Sequence, residues 1–497
     1  MDSSEYLRKL ENAHISASLD ENLQTISALF ANSADLLITR VILCEIPCAL
    51  LCCEGMVSSQ TLTEAMLEPL NTLGGRFTDA HAFLKHLHEN CILSPDCKCA
   101  DSLADLCKML CSGFALLFAE GTDSALAVGI QGYPSRGISA PDSEQNIYGA
   151  KEGFTENLHT NLSLLRRRMK SPLLTMQMCT AGTISRTDLC ICWLQDRVSQ
   201  ELVSKIKEKL ENLPLETVLS GGYVRPFLEE RGGHLFHSVG TTERPDVLCA
   251  KMLEGRVAVL IDGTPFALVL PQLFWELFQT LDDYNESPIY ATAIRLLKFA
   301  AFLLALMLPA VYLAVAVWHP ELLNRTLLEI LADAEQKAPF SLSAEMLGVL
   351  FMFEVVREAG LRLPNAVGGA VSIVGGLIIG DAAVESGLVS TPVLTVTALS
   401  VTAGFVIPEL HTVLALLRPT FILAGSVCGL SGISVIFTMV LCNLCAAEVF
   451  GYPTSAPFAP LRFRRLRDVF MRQGFRKLSQ GNFLVSEVRQ SHDTDEA

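Results

Sequence analysis

The chain holds 497 residues, half of them hydrophobic and 18% charged, with a mean hydropathy of +0.37. Soluble domains carry about 25% charged residues, so this deficit excludes a disordered chain, a collagen-like fibre and most soluble enzymes, and places part of the chain in lipid. Lysine and arginine number 38 against 53 acids, a net charge of −15 that opposes a general nucleic-acid binder, whose footprint would be basic.

In chain order, residues 1–50 lack the basic start, apolar core and small-residue cleavage site of a secretory peptide. The 16 cysteines are therefore expected as reduced thiols in a cytosol-facing domain. The densest group, His86, His88, Cys91, Cys97, Cys99, Cys107 and Cys111, offers zinc-ligand chemistry but no paired C-x-x-C spacing, so no metal is assigned to it.

Two α/β modules are expected, residues 1–145 and residues 146–290, joined around Asn146 to Lys170. Leu50 to Leu70 reads as an apolar strand leading through Val57, Leu62 and Leu67 into an amphipathic helix, and Leu189 to Leu210 repeats it through Val198, Leu202 and Ile206. Further on, Met109-Leu110 leads into GFALLFAEGT as Met252-Leu253 leads into GRVAVLIDGT, a second match in the same order and the mark of a tandem repeat. Asp262-Gly263 stands between two alternating runs, Val257 to Ile261 and Thr264 to Leu270, and predicts a hairpin.

Charge thins abruptly near Tyr290, and residues 291–451 are expected to form an α-helical polytopic membrane domain. Phe299 to Trp318 is uncharged and long enough to cross about 30 Å of hydrocarbon; Arg295 and Lys298 would anchor its entrance, Trp318 its far interface, and Pro309 would kink it. Three more spans are expected at Ala366 to Val384, which is glycine-rich, at Leu388 to Ile407 and at Phe421 to Ala447. Ser341 to Arg362 differs: Glu354, Arg357 and Glu358 share one face of an otherwise apolar helix. Lipid on every side would penalise that face, so the segment lies on the membrane, re-enters it, or faces a partner helix or watery pore. In the tail, residues 452–497, Arg462, Arg464, Arg465, Arg467, Arg472, Arg476 and Lys477 stand against Asp468 alone. Such a run marks the cytoplasmic side and suits anionic headgroups. Four crossings then put the amino-terminal domain on that side too.

No phosphate-binding loop, zinc-protease motif, nucleophile elbow or dinucleotide fingerprint occurs, so no catalytic residue and no cofactor are assigned. Gly368, Gly369, Gly375 and Gly376 are candidates for close helix packing. Asp381 and Glu385, spaced i, i+4, and Glu354, Arg357 and Glu358 are the candidate pore or coupling residues, since an ionisable side chain at membrane depth pairs with a base or lines water; membrane-surface acids and a local Glu354–Arg357 pair are the plainer alternatives. In the soluble part, Arg166, Arg167 and Arg168, with Arg244 and Asp246, are the candidate subunit-interface residues, against a solvated helix end and a helix start.

Several stretches taken together resemble one family. Glu152-Gly153-Phe154-Thr155-Glu156 leading into NLSLLRRRMKSP, then TERPD at 242–246, LEGRVAVLIDGTPF at 253–266 and REAGLRLPNAVGGAVSIVGGLIIGDAAVESGLVS at 357–390 are similar to the A subunits of GerA-type spore germinant receptors. The resemblance spans roughly Asn146 to Pro460; Lys151 and Asn157 depart from the arginine and aspartate expected there. It implies a subunit of the spore inner membrane that works with a transporter-like B subunit and a lipoprotein C subunit, and that self-associates into an oligomeric ion path opened by nutrient. The stage V sporulation AF protein is a related alternative, which DGTPF at 262–266 fits less well. A ring of copies would place Glu354, Glu358, Asp381 and Glu385 around an axis that attracts cations. A secondary transporter and a non-conducting scaffold are the competing classes.

Overall fold

The computed structural model describes residues 14–72, 77, 79–91, 94, 96–132, 149–229, 234–363, 376, 378, 380–459, 461 and 468–474. The first module runs α1 (Leu19–Leu29), β1 (Leu36–Leu43), β2 (Ile46–Cys53), short helical turns between 59 and 91, β3 (Cys97–Ala100), α2 (Leu103–Leu110), β4 (Phe114–Ala119) and β5 (Ala125–Gly129). The second runs α3 (Leu158–Arg168), β6 (Leu174–Ala181), β7 (Thr187–Leu194), α4 (Gln200–Glu211), α5 (Gly221–Leu228), β8 (Gly240–Thr242), α6 (Pro245–Leu253), β9 (Val257–Ile261) and β10 (Ala267–Leu270). The sheets are antiparallel with strand orders β1-β2-β4-β5-β3 and β6-β7-β9-β10-β8, which is one topology used twice.

The repeat extends to single hydrogen bonds. In the first module the Asn22 side chain closes on the backbone of Ser16 in both directions, at 2.8 and 2.6 Å. In the second, Asn161 does the same to Thr155, at 2.8 and 2.6 Å. The acid that follows the central strand then caps the module's first helix: the Leu19 N–H donates to Glu120 at 2.8 Å, and the Leu158 N–H to Asp262 at 3.0 Å. A carboxylate there meets unsatisfied N–H groups and the positive end of the helix dipole. This is the use of EGT and DGT in the two matched stretches. The Asp262-Gly263 hairpin forms, with Gly263 at φ +78°. Its strands do not alternate between core and water, because helices cover both sheet faces and β9 and β10 are buried throughout.

The charge-poor half folds as helices: α7 (Pro288–Trp318), α8 (Arg325–Glu335), α9 (Leu342–Arg362), α10 (Thr391–Gly404) and α11 (His411–Ala446). Among the described residues, two segments, Pro288–Trp318 and Pro408–Ala446, are long and apolar enough to cross a membrane by length and composition. The expected span Phe299 to Trp318 lies in the first. The expected span Leu388 to Ile407 contains α10, only 14 residues long. Most of Ala366 to Val384, with Gly368, Gly369 and Gly375, lies outside the described residues.

The last long helix is not one straight rod. Gly429, at φ +60° and ψ −144°, breaks it, and the chain reverses there. A Cβ on Gly432 would fall 2.3 Å from the carbonyl oxygen of Ala424, whereas an unbroken helix holds residues eight apart at about 12 Å. Residues 411–428 run beside α7 in the same direction, with Arg418 bonded to Ala305, Gly425 against Ala310, and Ser426 accepting from the Trp318 indole. Residues 430–446 return, so that Asn443 accepts from the Leu235 N–H and Val449, Phe450 and Tyr452 enter the core of the second module. The carboxyl-terminal segment and the soluble modules therefore meet at the same end of the helical bundle. Close helix approach is carried by Gly425, Gly429 and Gly432, each crowded by a neighbour, while a Cβ on Gly376 would meet nothing within 4 Å among the described residues.

That contrast gives a direct test. Gly432→Leu, which overpacks the reversal, is expected to cost about 1–3 kcal/mol or more and to lower the thermal midpoint of the detergent-solubilised protein, while Gly376→Ala leaves it within error.

Candidate functional site

The charged face of α9 is real, and its charges are matched locally. Glu354 accepts from Arg357 Nε at 2.9 Å and lies 3.5 Å from His411 Nε2 at the start of α11. Glu358 accepts from Arg362 at 2.7 and 3.0 Å. Glu354, Arg357 and Glu358, with Val355 and Ala359, line an open cleft of about 350 Å³. Asp381 and Glu385 lie on the helical stretch ending at 385, both exposed, with no hydrogen bond or ion pair among the described residues. The structure thus joins Glu354 and Arg357, with Glu358 beside them in the cleft, and leaves Asp381 and Glu385 open.

Two buried charges in the bundle escaped the sequence reading. Glu345 accepts from the N–H and hydroxyl of Ser390 at 3.1 and 2.9 Å and so caps α10. Arg418, 1% exposed, donates to the carbonyls of Ala305 at 2.9 Å and Ser400 at 3.1 Å, fastening α7, α10 and α11. Gly404 makes room, since a Cβ there would sit 2.2 Å from the guanidinium. The available signal was Arg418 itself, a lone cation between Leu417 and Pro419 just before the assigned span.

The candidate interface residues are largely turned inward. Arg166 is fully buried and grips Asp35 of the first module through Nε and Nη2 at 2.7 and 2.9 Å, while also bonding the carbonyls of Ser171 and Leu174. It fastens module to module instead of presenting a surface. Arg167 and Arg168 both bond Glu152, and Arg244, 2% exposed, bonds Asp246 and the carbonyl of Ala150. Members of the histidine and cysteine group lie apart: His88 Nδ1 approaches Cys97 Sγ at 3.4 Å, but Cys107 on α2 and Cys111 just after it enter the core beneath α1. Burial pushes the Cys97 thiol to about 11 and the Cys107 thiol to about 12, so both stay protonated at neutral pH.

A polar network lies where the two modules, the first long helix and the carboxyl-terminal segment converge. Arg295, fully buried at the base of α7, donates to Asp283 at 2.8 Å and to the Asp468 carboxylate at 3.1 Å. Lys298 donates to Thr280 at 3.0 Å and lies 3.5 Å from Asp283. The Tyr284 hydroxyl donates to Asp468 at 2.5 Å, and Arg472 packs its guanidinium against the Tyr284 ring while donating to the Tyr284 carbonyl. Arg295 and Lys298 are therefore not headgroup anchors, and Arg472 of the basic tail is 6% exposed and faces protein. Beside them Phe278 stacks on Phe299, Trp275 packs tilted against Phe299 and Phe458, and Phe470 meets Trp275, Phe299 and Phe458 edge to face. A second network, Glu276 with Arg256 and Lys251, ties this linker to α6 and β9. Sequence could not supply these pairs, because Asp468 is 173 residues from Arg295.

Two outcomes follow from charges this deeply buried. Arg295→Leu leaves Asp283 and Asp468 short of a cation and is expected to cost about 3–5 kcal/mol, with Arg295→Leu/Asp283→Leu costing less than the sum of the single changes in chemical unfolding. Burial opposes the charged Glu276 carboxylate, but the charges of Arg256 and Lys251 outweigh it and hold it below its ordinary 4.5. A depressed carboxylate stabilises the fold above its unfolded value and loses that contribution as pH falls through the folded one. Unfolding followed below pH 4.5 should therefore show a loss of stability that is shallower in Glu276→Gln.

Comparison with known proteins gives the family of the chain. A family described as "Bacillus/Clostridium GerA spore germination protein" matches residues 24–482. Spore germination protein KA of Bacillus subtilis (strain 168) is 34% identical over 463 residues, covering 92% of this chain and 85% of that protein. Spore germination protein A1 of the same organism is 31% identical over 348 residues, covering 70% and 72%. The crystal structure of the N-terminal domain of the A subunit of the Bacillus megaterium spore germinant receptor GerK3 is 28% identical and covers 53% of this chain and 98% of its own, with a TM-score of 0.41. By the family match and these relatives, the chain belongs to the GerA family of spore germination proteins.

Proposed function

We propose that this chain is the A-type subunit of a nutrient-responsive germinant receptor in the spore inner membrane. Several copies assemble into a membrane path for cations, and a transporter-like B subunit and a lipoprotein C subunit bring the nutrient signal. The soluble modules and the tail sit on the core side of the membrane. The observation that carries this reading is the buried Asp283–Arg295–Asp468 junction, which makes the linker after the second module, the first long helix and the carboxyl-terminal segment one mechanical unit. A shift imposed on the soluble modules by a partner is thereby transmitted to α7, and through Arg418 to α10 and α11, biasing a closed and an open arrangement of the bundle.

Assembly gives Glu354, Glu358, Asp381 and Glu385 their task. Asp381 and Glu385, exposed and without a partner among the described residues, gather around the axis, where rings of carboxylates draw cations. Neutralising all four in purified oligomer reconstituted into vesicles is expected to remove most of the cation current. An unchanged current would overturn the carboxylate ring, and a well-formed oligomer without any current would favour a scaffold. In spores, Arg295→Leu at normal membrane abundance is expected to delay the nutrient response.

A further inference from the structure

We propose that β1 is a docking edge for a second copy of this chain, strand against strand. The duplicated modules provide an internal control. β1 and β6 hold the same outer place in their sheets, each is eight residues long, and Leu36 opposite Cys53 corresponds to Leu174 opposite Leu194. The two strands can therefore be compared position by position.

The outer side of β6 is covered over its first residues by this chain. The Ala34 N–H donates to the Met176 carbonyl at 2.7 Å, the Met176 N–H donates to Ser33 at 2.9 Å, and Leu174, Thr175 and Met176 are buried. Among the described residues nothing comparable covers β1. Leu37, in the place of buried Thr175, is 43% exposed; Ile38, in the place of buried Met176, is 37% exposed; Ile42, where the second module has Thr180, is 77% exposed. At Leu37 the open strand carries an apolar residue where its duplicate carries the covered Thr175, and at Ile42 it carries one where the duplicate, exposed there too, carries the polar Thr180. An exposed edge of this length with apolar side chains is a template for another strand. What closes the duplicate edge is a module of the same fold, and this makes a second copy the occupant.

Geometry also selects the register. A two-fold antiparallel pair keeps each face of the sheet, so opposed residues are separated by even numbers and the axis passes through Thr39 or Arg40. Centring on Arg40 would oppose like charges. Centring on Thr39 places Leu37 opposite Val41 and Leu36 opposite Ile42 of the second copy. Such an isologous contact builds pairs and does not depend on the ion-path reading.

The test uses the full chain in detergent. Thr39→Cys, oxidised with copper phenanthroline, is expected to give a disulfide-linked dimer beyond any formed by the parent chain with its own cysteines. Adding Leu37→Asp and Ile42→Asp should abolish that dimer while circular dichroism stays unchanged, both positions being exposed. The proposal is overturned by cross-linking no greater than the parent's, by a dimer that survives the two aspartates, or by cross-linking of Thr39→Cys in membranes to a different polypeptide instead of to itself.

Discussion

A guanidinium removed from water must be paired, and this one requirement organises the molecule at its centre. Arg295 stands at the base of the first apolar helix with no exposure, and its carboxylate partners come from the linker before the helix and from the segment after the last helix. Neither partner can leave without stranding a buried charge. The chain is therefore closed on itself around α7, although Asp283 and Asp468 lie 185 residues apart in sequence. Arg256 with Glu276 applies the same logic one layer further into the soluble part.

Duplication supplies the rigid body that this junction moves. Both modules begin with an asparagine clamp and a helix capped by the acid that ends the central strand. The modules are not interchangeable, because the second has become the hub. It receives Asp35 of the first module on Arg166, and it accepts Val449, Phe450 and Tyr452 from beyond the last helix into its core. A displacement of either module is thus felt at the linker that leads into α7.

Within the bundle, small residues and one arginine set the spacing. The reversal at Gly429 leaves no room for a side chain at Gly432, α7 leaves none at Gly425, and the indole of Trp318 closes over the turn. Arg418 reaches the carbonyls of two neighbouring helices from a position where hydrocarbon alone would reject it. Helix packing and polar satisfaction are therefore solved by the same three helices.

Local pattern was enough for much of this protein. The repeat, the strands around GFALLFAEGT and GRVAVLIDGT, the hairpin at Asp262, the helix that includes Phe299 to Trp318 and the charged face of α9 all rest on periodicity and turn chemistry within about twenty residues. The reversal at Gly429 was not legible, since an uncharged run reads the same whether it is one long helix or two short ones. The roles of Arg166, Arg244, Arg295, Lys298 and Arg472 were misread as surface roles because a cation's burial depends on acids and carbonyls brought in from distant segments. Sequence by itself determined the fold class, the duplication and the membrane-directed half. Only the tertiary structure decided which charges face water, because pairing energy depends on distance in space and not on separation along the chain.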